Sequence, residues 1–183
     1  MAITNHLASG SLLQGATMRF RKATIHDSEV IWRMMQTAIR RLGEAGVDQW
    51  QHGYPNPASI AQDIADGVGY VIEEHDHVVC YGAVIFTGEP AYRQIDGAWL
   101  TTEERYVVVH RMCVDERVLR LGYGIRFMEE VEALAQGQAI SFRCDTHADN
   151  RIMQQLLPKL GFTRCGVICF ESRYLVAFEK LLA

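Results

Sequence analysis

The chain has 183 residues, of which 49% are hydrophobic and 22% charged, and its formal net charge is −4 at pH 7. This composition is typical of one globular domain with a substantial core, and the scattered basic residues exclude a strong electrostatic surface for nucleic acid or acidic lipid. No apolar run approaches the length of a membrane span, and no export signal is visible. Five cysteines without a C-x-x-C pair are typical of reduced, mostly buried thiols, so we expect a cytoplasmic protein.

The N-terminal part of the chain is predicted to hold a leader, one strand and two helices. Residues 1–17 are rich in Ser, Gly and Ala without periodicity, so we expect a flexible leader or an appended segment before a single domain at 18–183. A strand-like run at 18–22 opens that domain. Apolar residues at helical spacing then predict a helix capped by Asp27, and a second short helix begins at Pro57.

The rest of the chain alternates strand-like and helical patterns. Residues 69–73 and 78–86 are rich in Val, Ile and Tyr on either side of a turn, which predicts an antiparallel hairpin. Turn signals at 89–104 predict a loop or an irregular arm. The elements that follow are a strand at 106–114, a glycine turn, an amphipathic helix, a strand at 139–146, a helix capped by Asp149 or Asn150, and closing strands at 165–170 and 174–180. This order predicts a mixed α/β sheet flanked by helices.

A glycine turn lies between the strand at 106–114 and the amphipathic helix. Gly122 and Gly124 can adopt backbone angles that other residues avoid, and without side chains they let backbone N–H groups approach an anion closely. The helix that follows offers its first unpaired N–H groups and the positive end of its dipole. The turn therefore predicts a phosphate site, although two glycines also occur in turns for geometry alone.

Four motifs occur in order over residues 108–162. They are the strand ending Met112-Cys113-Val114, the turn Gly122-Tyr123-Gly124, Asn150, and the ending Lys159-Leu160-Gly161-Phe162. Together they resemble the GNAT superfamily of acyl-CoA-dependent N-acetyltransferases. The resemblance implies an α/β (α+β) fold, with a mixed, mostly antiparallel sheet, a splayed parallel strand pair and flanking helices. It also implies an acetyltransferase that uses acetyl-CoA as co-substrate and no metal.

The resemblance implies how acetyl-CoA is held. Backbone amides of the glycine turn would bind its pyrophosphate, and Met112 and Val114 would pair with the pantetheine arm as an added strand does. Asn150 would contact that arm and could also cap a helix. Leu119 stands where the family usually has Gln or Arg, so the adjacent Arg120 would offer the charge instead. The predicted cofactor-binding residues are Met112, Cys113, Val114, Leu119, Arg120, Leu121, Gly122, Tyr123, Gly124, Ile125, Asn150 and Met153.

Acetylation of an amine requires a base, because a lysine-like amine has a pKa of about 10.4 and is protonated at neutral pH. Family members often use a Glu on the strand before the cofactor triplet, and here that position is Val108. His110 lies two residues further along, on the same strand face, and is the candidate general base. A hydrogen-bonded sheet histidine explains His110 equally well.

A second departure concerns the leaving thiolate. Family members often place a Tyr in the Y-x-K-x-G-F ending as the acid that protonates it, and here that place is Leu157. Release of CoA as a thiolate and protonation through water are the alternatives.

Candidate substrate residues lie on arms outside the cofactor core and at the end of the strand at 139–146. Trp50, Tyr54 and Trp99 either line the acceptor pocket or cover the sheet. Asp145 belongs to a run of metal-type ligands, but it lies at the strand-to-helix bend near the expected thioester. We therefore expect Asp145 to face substrate rather than a metal, and Cys144 to be a buried thiol.

The predicted function is transfer of an acetyl group from acetyl-CoA to the primary amine of a small molecule, by direct attack in a ternary complex. The departures at Val108 and Leu157 keep open a catalytically weak acyl-CoA-binding or sensing module. A protein or peptide N-acetyltransferase is a third interpretation. The sheet also leaves strand edges through which a homodimer could form.

Overall fold

A computed structural model describes residues 18–170 and 172–182, so the predicted leader at 1–17 lies outside the described residues. Within the described part, the strands are β1 (Met18–Lys22), β2 (Gly69–Glu74), β3 (His77–Ile85), β4 (Ile95–Gly97), β5 (Tyr106–Val114), β6 (Ser141–His147), β7 (Thr163–Phe170) and β8 (Arg173–Leu181). The α-helices are α1 (Ser28–Glu44), α2 (Pro57–Ala65), α3 (Tyr123–Ala135) and α4 (Arg151–Lys159). None of these helices is long and apolar enough to cross a membrane.

The strands form one sheet in the order β1-β2-β3-β5-β6-β8-β7-β4. Every pairing is antiparallel except that of β5 with β6, whose register matches Tyr106 with Ser141 and ends where Val108 meets Arg143. Beyond that point β5 pairs only with β3 and β6 only with β8. The two strands therefore separate, and the expected sheet with a splayed parallel pair is confirmed.

Helices cover both faces of the sheet. α3 and α4 bury one face through a cluster that includes Phe127, Phe142 and Leu157, all fully buried. α1 and α2 cover part of the opposite face, where Ile31 and Ile60 pack on the sheet. The remainder of that face is covered by the connection from β3 to β5, whose Tyr92 and Trp99 are the main contributors. The splay of β5 and β6 thus lies between two covered faces.

The predicted irregular arm contains more structure than its sequence indicates. A 3₁₀ turn at Pro90–Arg93 is followed by β4, which pairs antiparallel with β7 at the edge of the sheet. A Cβ atom on Gly97 would collide with the Cys165 carbonyl, and Gly97 has a φ of +137°, so this crossing requires glycine. A strand of three residues is too short to produce an alternating pattern, which is why the sequence did not predict it.

Asp27 occupies the N-cap position of the first helix, as predicted, but its side chain does not cap that helix. α1 begins directly after a 3₁₀ turn at Ile25–Asp27, and the Asp27 side chain makes no capping bond to it. Its carboxylate instead accepts two hydrogen bonds from Arg21 (2.8 and 2.9 Å) and others from Thr24. A guanidinium on the neighbouring strand offers stronger, charge-assisted bonds than the helix N–H groups do.

A bulge interrupts β5 in the middle of the splayed segment. Ala83 pairs with His110 and Tyr81 with Cys113, so Arg111 and Met112 together lie opposite one residue of β3. Arg111 has a φ of +54°. The extra residue turns the Arg111 side chain to the face that His110 occupies, whereas strict alternation would direct it toward α3.

Candidate active site

The glycine turn and the first turn of α3 form an exposed cradle of backbone N–H groups. Gly122 has a φ of +92° and precedes the helix, and a Cβ atom on it would meet nothing within 4 Å. The backbone bond that starts the helix runs from the Arg126 N–H to the Gly122 carbonyl (2.9 Å). The N–H groups of Tyr123, Gly124 and Ile125 therefore precede the helical ladder and can bind an anion.

The turn lies directly against the end of β5. A Cβ atom on Gly124 would be 3.7 Å from Val114 Cγ2 and 3.8 Å from Met112 Cε. The structure thus brings the glycine turn and the Met112-Cys113-Val114 triplet together. Between them, Cys113 faces the opposite side of the sheet, where burial raises the pKa of its thiol to about 12. The edge of β5 that no longer pairs with β6 and an open anion cradle are therefore adjacent, as the expected acetyl-CoA site requires.

The side chains of the turn are largely exposed. Leu121 and Ile125 are 70% and 37% exposed, and Arg120 is exposed with a φ of +66°. Tyr123 donates its hydroxyl hydrogen to the Glu74 carboxylate, which raises the pKa of the phenol. Leu119 is half-buried. The turn therefore offers backbone groups and the Arg120 charge to a ligand.

Asn150 links the start of α4 to the connection between α1 and α2. Its Oδ1 accepts the Met153 N–H (3.2 Å), so Asn150 is the helix cap of the two candidates. Its Nδ2 donates to Gln49 Oε1 (2.9 Å), which also lies 3.4 Å from Thr146 Oγ1. Gln49 was not identified from the sequence, because nothing local relates it to a strand about a hundred residues away.

His110 lies on β5 just beyond the point where β5 and β6 separate. Its Nδ1 lies 3.9 Å from Asp145 Oδ2, across the splay, and both side chains are largely shielded from solvent, with exposures of 17% and 12%. His110 also shares its strand face with Val108, as predicted, and Val108 is fully buried. The two predicted site residues on β5 and β6 are therefore brought together.

Glu89, which no local sequence pattern relates to β5, lies against the other nitrogen of His110. Glu89 Oε2 lies 3.1 Å from His110 Nε2, and Oε1 accepts the Ala91 N–H at 3.1 Å. The hydrogen bond from His110 is the main cause that lowers the pKa of Glu89, so this carboxyl is ionised at neutral pH. In the sequence, Glu89 is marked only by the proline that follows it, Pro90. A residue followed by proline is typical of a helix start, and this does not indicate a contact with β5.

Asp145 is the second carboxyl beside His110, and its surroundings differ from those of Glu89. Burial raises the pKa of Asp145, and its Oδ2 accepts the Tyr92 hydroxyl hydrogen at 2.7 Å. Burial also raises the pKa of Tyr92, whose ring centroid is 6.3 Å from that of His110. The imidazole thus lies between a carboxyl whose pKa is lowered and a buried one whose pKa is raised, an arrangement suited to proton transfer.

A buried ion pair lies beside His110 on the same face. Arg111 donates two hydrogen bonds to Asp63 of α2 (2.8 and 2.6 Å), and Tyr81 donates a third (2.6 Å). Arg111 also donates to the Tyr54 hydroxyl. The candidate substrate residue Tyr54 is thereby held next to the bulge, one residue from His110.

The other two aromatic candidates have mainly packing contacts. Trp50, with a φ of +70°, packs against the α1 cluster. Trp99 donates its indole N–H to the Tyr92 carbonyl (2.9 Å) and stacks on Arg143, whose guanidinium carbon is 4.4 Å from the ring. Arg143 is itself paired with the fully buried Glu179 (2.8 Å). Trp99 therefore covers a buried ion pair, one layer behind His110.

The remaining positions of interest concern the thiolate acid and the run of metal-type ligands. Leu157 is fully buried in the core under α4, so no hydroxyl is present at that place. His147 pairs with Asp149 (3.5 Å), while Asp145 points away to Tyr92. Across residues 18–170 and 172–182, no group of three or more His, Cys, Asp or Glu side chains is arranged to hold a metal ion.

Comparisons with known proteins agree with this geometry. A sequence model of the acetyltransferase (GNAT) family matches residues 32–162. A GNAT-family acetyltransferase from Streptococcus agalactiae is 32% identical, with a TM-score of 0.83 over 93% of this chain and 97% of that chain. No curated protein matches the sequence.

Two more distant structures share the fold. AAC(6')-Ib, solved in complex with ribostamycin and coenzyme A, is 15% identical with a TM-score of 0.65, covering 90% of this chain and 93% of that chain. The ribosomal-protein-S18-alanine N-acetyltransferase from Escherichia coli is 10% identical with a TM-score of 0.62, covering 91% and 95%. The family match extends over most of the domain and includes the turn, the splay and α4. The chain therefore belongs to the acetyltransferase (GNAT) family and is an acetyl-CoA-dependent acetyltransferase.

Proposed function

We propose that this enzyme transfers the acetyl group to the primary amine of a small molecule, by direct attack in a ternary complex. The observation that carries the proposal is the position of His110, in the splay of β5 and β6 and between two carboxyl groups. Bound acetyl-CoA supplies the activated acyl group, whose C–S bond breaks as the amine nitrogen forms the amide bond. His110 accepts the proton that the amine loses.

The residues that hold acetyl-CoA are proposed from the cradle and the end of β5. Backbone N–H groups of Tyr123, Gly124 and Ile125 bind the pyrophosphate at the start of α3, where the helix dipole adds a positive potential. The Leu121 N–H, which the sequence had also suggested, already donates to the Val118 carbonyl at 3.3 Å. The backbone of Met112 and Val114 pairs with the pantetheine arm. Arg120, exposed at the turn, adds a positive charge on the phosphate side.

A small acceptor is favoured by the two segments that enclose His110. On one side, the connection between α1 and α2 is fixed by the bonds of Gln49 to Asn150 and of Tyr54 to Arg111. On the other side, Glu89 and Tyr92 of the β3–β5 connection bond to His110 and Asp145. A site closed on two sides suits a compact amine, and the carboxylates favour a cation. A small-molecule acceptor is also supported by AAC(6')-Ib, which shares the fold and was solved in complex with ribostamycin and coenzyme A.

The test is incubation of the full chain with acetyl-CoA and a panel of small primary amines. Free thiol release and the mass of the product are followed, with matched panels of short peptides in parallel. Amine-dependent thiol release, with an added acetyl mass on small amines, supports the proposal. Acetylation of peptides but not of small amines would assign the enzyme to protein or peptide substrates instead.

A second candidate is an acyl-CoA-binding or sensing module with little turnover. The observation that favours it is that Val108 and Leu157, where family members often have Glu and Tyr, are both fully buried apolar residues. Tight acetyl-CoA binding by calorimetry, with no amine-dependent thiol release across the panel, would support this candidate and overturn the first.

A further inference from the structure

We propose that Glu89 is a positioning residue that fixes the tautomer of His110, so that Nε2 carries the proton and Nδ1 is the basic nitrogen. This inference deepens the proposed function and rests on it for its catalytic meaning. It follows from the contacts of the two ring nitrogens, which differ in kind.

The Glu89 carboxylate is held at both oxygens. Oε1 accepts the Ala91 N–H at the start of the 3₁₀ turn, and Oε2 faces His110 Nε2 at 3.1 Å. The Glu89 N–H in turn donates to the Tyr106 hydroxyl (3.1 Å), which ties the residue to β5. An ionised carboxylate can only accept, so Nε2 must be the donor. A rigid acceptor on Nε2 selects the Nε2–H form of the neutral imidazole.

Among the residues that the structure describes, Nδ1 has no comparable partner. Its distance of 3.9 Å from Asp145 Oδ2 is beyond a hydrogen bond, and that oxygen already accepts from Tyr92. A proton on Nδ1 would therefore have no acceptor, whereas a lone pair there faces the splay. The groups that face the ring are Glu89 from the β3–β5 connection, Tyr92 from the 3₁₀ turn, Asp145 from β6 and the neighbouring Arg111.

The proton balance follows from this arrangement. The cationic acceptor first gives one proton to His110 Nδ1 and becomes the free amine. The amine nitrogen then forms the new bond to the acyl carbon, the electron pair of the C–S bond leaves with sulfur, and the second proton lost from nitrogen passes through water to the thiolate. The imidazolium that results keeps its Nε2–H bond to Glu89, whose negative charge stabilises it. Loss of Glu89 should therefore affect both the tautomer before reaction and the charged state after it.

The experiment compares Glu89→Ala and Glu89→Gln with the wild type, and uses Glu103→Gln as the matched control. Glu103 is an exposed carboxylate of the same connection. The His110 tautomer is read from long-range proton–nitrogen NMR correlations of the full chain without acetyl-CoA, the signal being assigned by its loss in His110→Gln. Thermal unfolding reports whether each variant is folded, and kcat and KM are measured with the best amine.

We expect the wild type, Glu89→Gln and Glu103→Gln to hold the Nε2–H form, because the Gln carbonyl can also accept this hydrogen. Glu89→Ala should show a mixture of tautomers and a kcat lower by about tenfold to a hundredfold, with the KM for acetyl-CoA changed by less than about twofold. In Glu89→Gln, the ascending limb of kcat/KM against pH should move to lower pH, because the imidazolium loses a neighbouring negative charge.

An unchanged Nε2–H tautomer in folded Glu89→Ala would overturn the proposal, and so would an unchanged kcat in that variant. If Glu89→Ala does not fold, the pH profiles of Glu89→Gln and Glu103→Gln decide, and coincident profiles would overturn it. A wild type that acetylates no amine refutes the proposed function instead, and the NMR comparison then still decides whether Glu89 sets the tautomer.

Discussion

His110 and Asp145 face each other across the splay, each two residues beyond the last pair of the parallel ladder, Val108 with Arg143. The register therefore brings an imidazole and a carboxyl to within 3.9 Å at the point where the strands separate. The opening that we propose for the pantetheine arm thus begins beside a group that can accept a proton. The same strand pair supplies both the cofactor path and the candidate base.

Replacement of His110 tests the candidate base directly. In His110→Ala, we expect kcat to fall by about a hundredfold to ten-thousandfold, because the amine must then lose its proton to water. The affinity for acetyl-CoA should change by less than about twofold, since the ring faces the side opposite the cradle. Steady-state kinetics and titration calorimetry measure the two effects. His26→Ala, at an exposed histidine, is the control. Retained kcat with an unaltered pH profile would assign His110 a structural role.

Asp145 should make stability depend on pH, because burial raises its pKa. A carboxyl with a higher pKa in the folded protein binds its proton more tightly there than in the unfolded chain. As pH rises from the pKa of Asp145 in the unfolded chain toward its higher pKa in the folded protein, the free energy of unfolding therefore falls. This loss of stability remains at neutral pH. Asp145→Asn removes this loss and still accepts the Tyr92 hydrogen bond.

We therefore expect Asp145→Asn to gain stability relative to the wild type as pH rises from about 4 to about 7. Chemical denaturation at a series of pH values measures the difference. Asp96→Asn, at an exposed aspartate of β4, should show no such trend. A constant difference between Asp145→Asn and the wild type would mean that Asp145 titrates in the fold as in the unfolded chain.

The elements predicted from the sequence are those with strong local patterns. The run 106–114, the glycine turn and the helix after it were found because a strand, a turn and an amphipathic helix each leave a signal within a few residues. Family motifs then implied that the strands at 106–114 and 139–146 are parallel and separate, and the register of β5 and β6 shows this.

The missed features depend on contacts between distant residues. Strict alternation predicts that Arg111 faces away from His110, and only pairing with β3 reveals the bulge that reverses it. Glu89 lies 21 residues from His110 in a connection without periodicity, so nothing local relates the two. The contact of Gln49 with Asn150 also joins residues that are distant in sequence, and the loop that carries Gln49 is fixed by tertiary contacts.

Asp27 should make the free energy of unfolding decrease in acid. Hydrogen bonds from Arg21 are the largest cause that holds its pKa at about 2, against an ordinary value of 3.8. A carboxyl with a depressed folded pKa contributes stability above the ordinary value, and this is lost as pH falls toward the folded value. The contribution is on the order of 2 kcal/mol at neutral pH.

We expect Asp27→Asn to be less stable than the wild type by about 2 kcal/mol at neutral pH, and the two to converge as pH falls toward about 2. Urea denaturation at several pH values measures the free energy of unfolding, with Asp96→Asn as the exposed control. Convergence is the decisive feature, because a packing defect would persist in acid.

A substitution at Gly124 should change the affinity for acetyl-CoA without lowering the stability of the protein. An added methyl group would make ordinary contacts with Val114 and Met112, and Ala is favoured over Gly within a helix by about 1 kcal/mol. Gly124→Ala should therefore be at least as stable as the wild type. The methyl group would lie between the cradle and the end of β5, where we propose that the cofactor binds, so we expect acetyl-CoA to bind about tenfold more weakly or worse. Calorimetry and thermal unfolding measure the two quantities, and unchanged affinity would place the pyrophosphate elsewhere.

Gly122 has a matched control at the other end of the same helix. Gly122 and Gly137 have φ values of +92° and +73°, and an added Cβ atom would meet nothing within 4 Å at either position. Alanine at each should cost about 1–2 kcal/mol of stability through backbone strain alone. Only Gly122→Ala should also weaken acetyl-CoA binding, because its strain is relieved by moving the N–H groups at the start of α3. Equal affinity in the two variants would remove the glycine turn from the cofactor site.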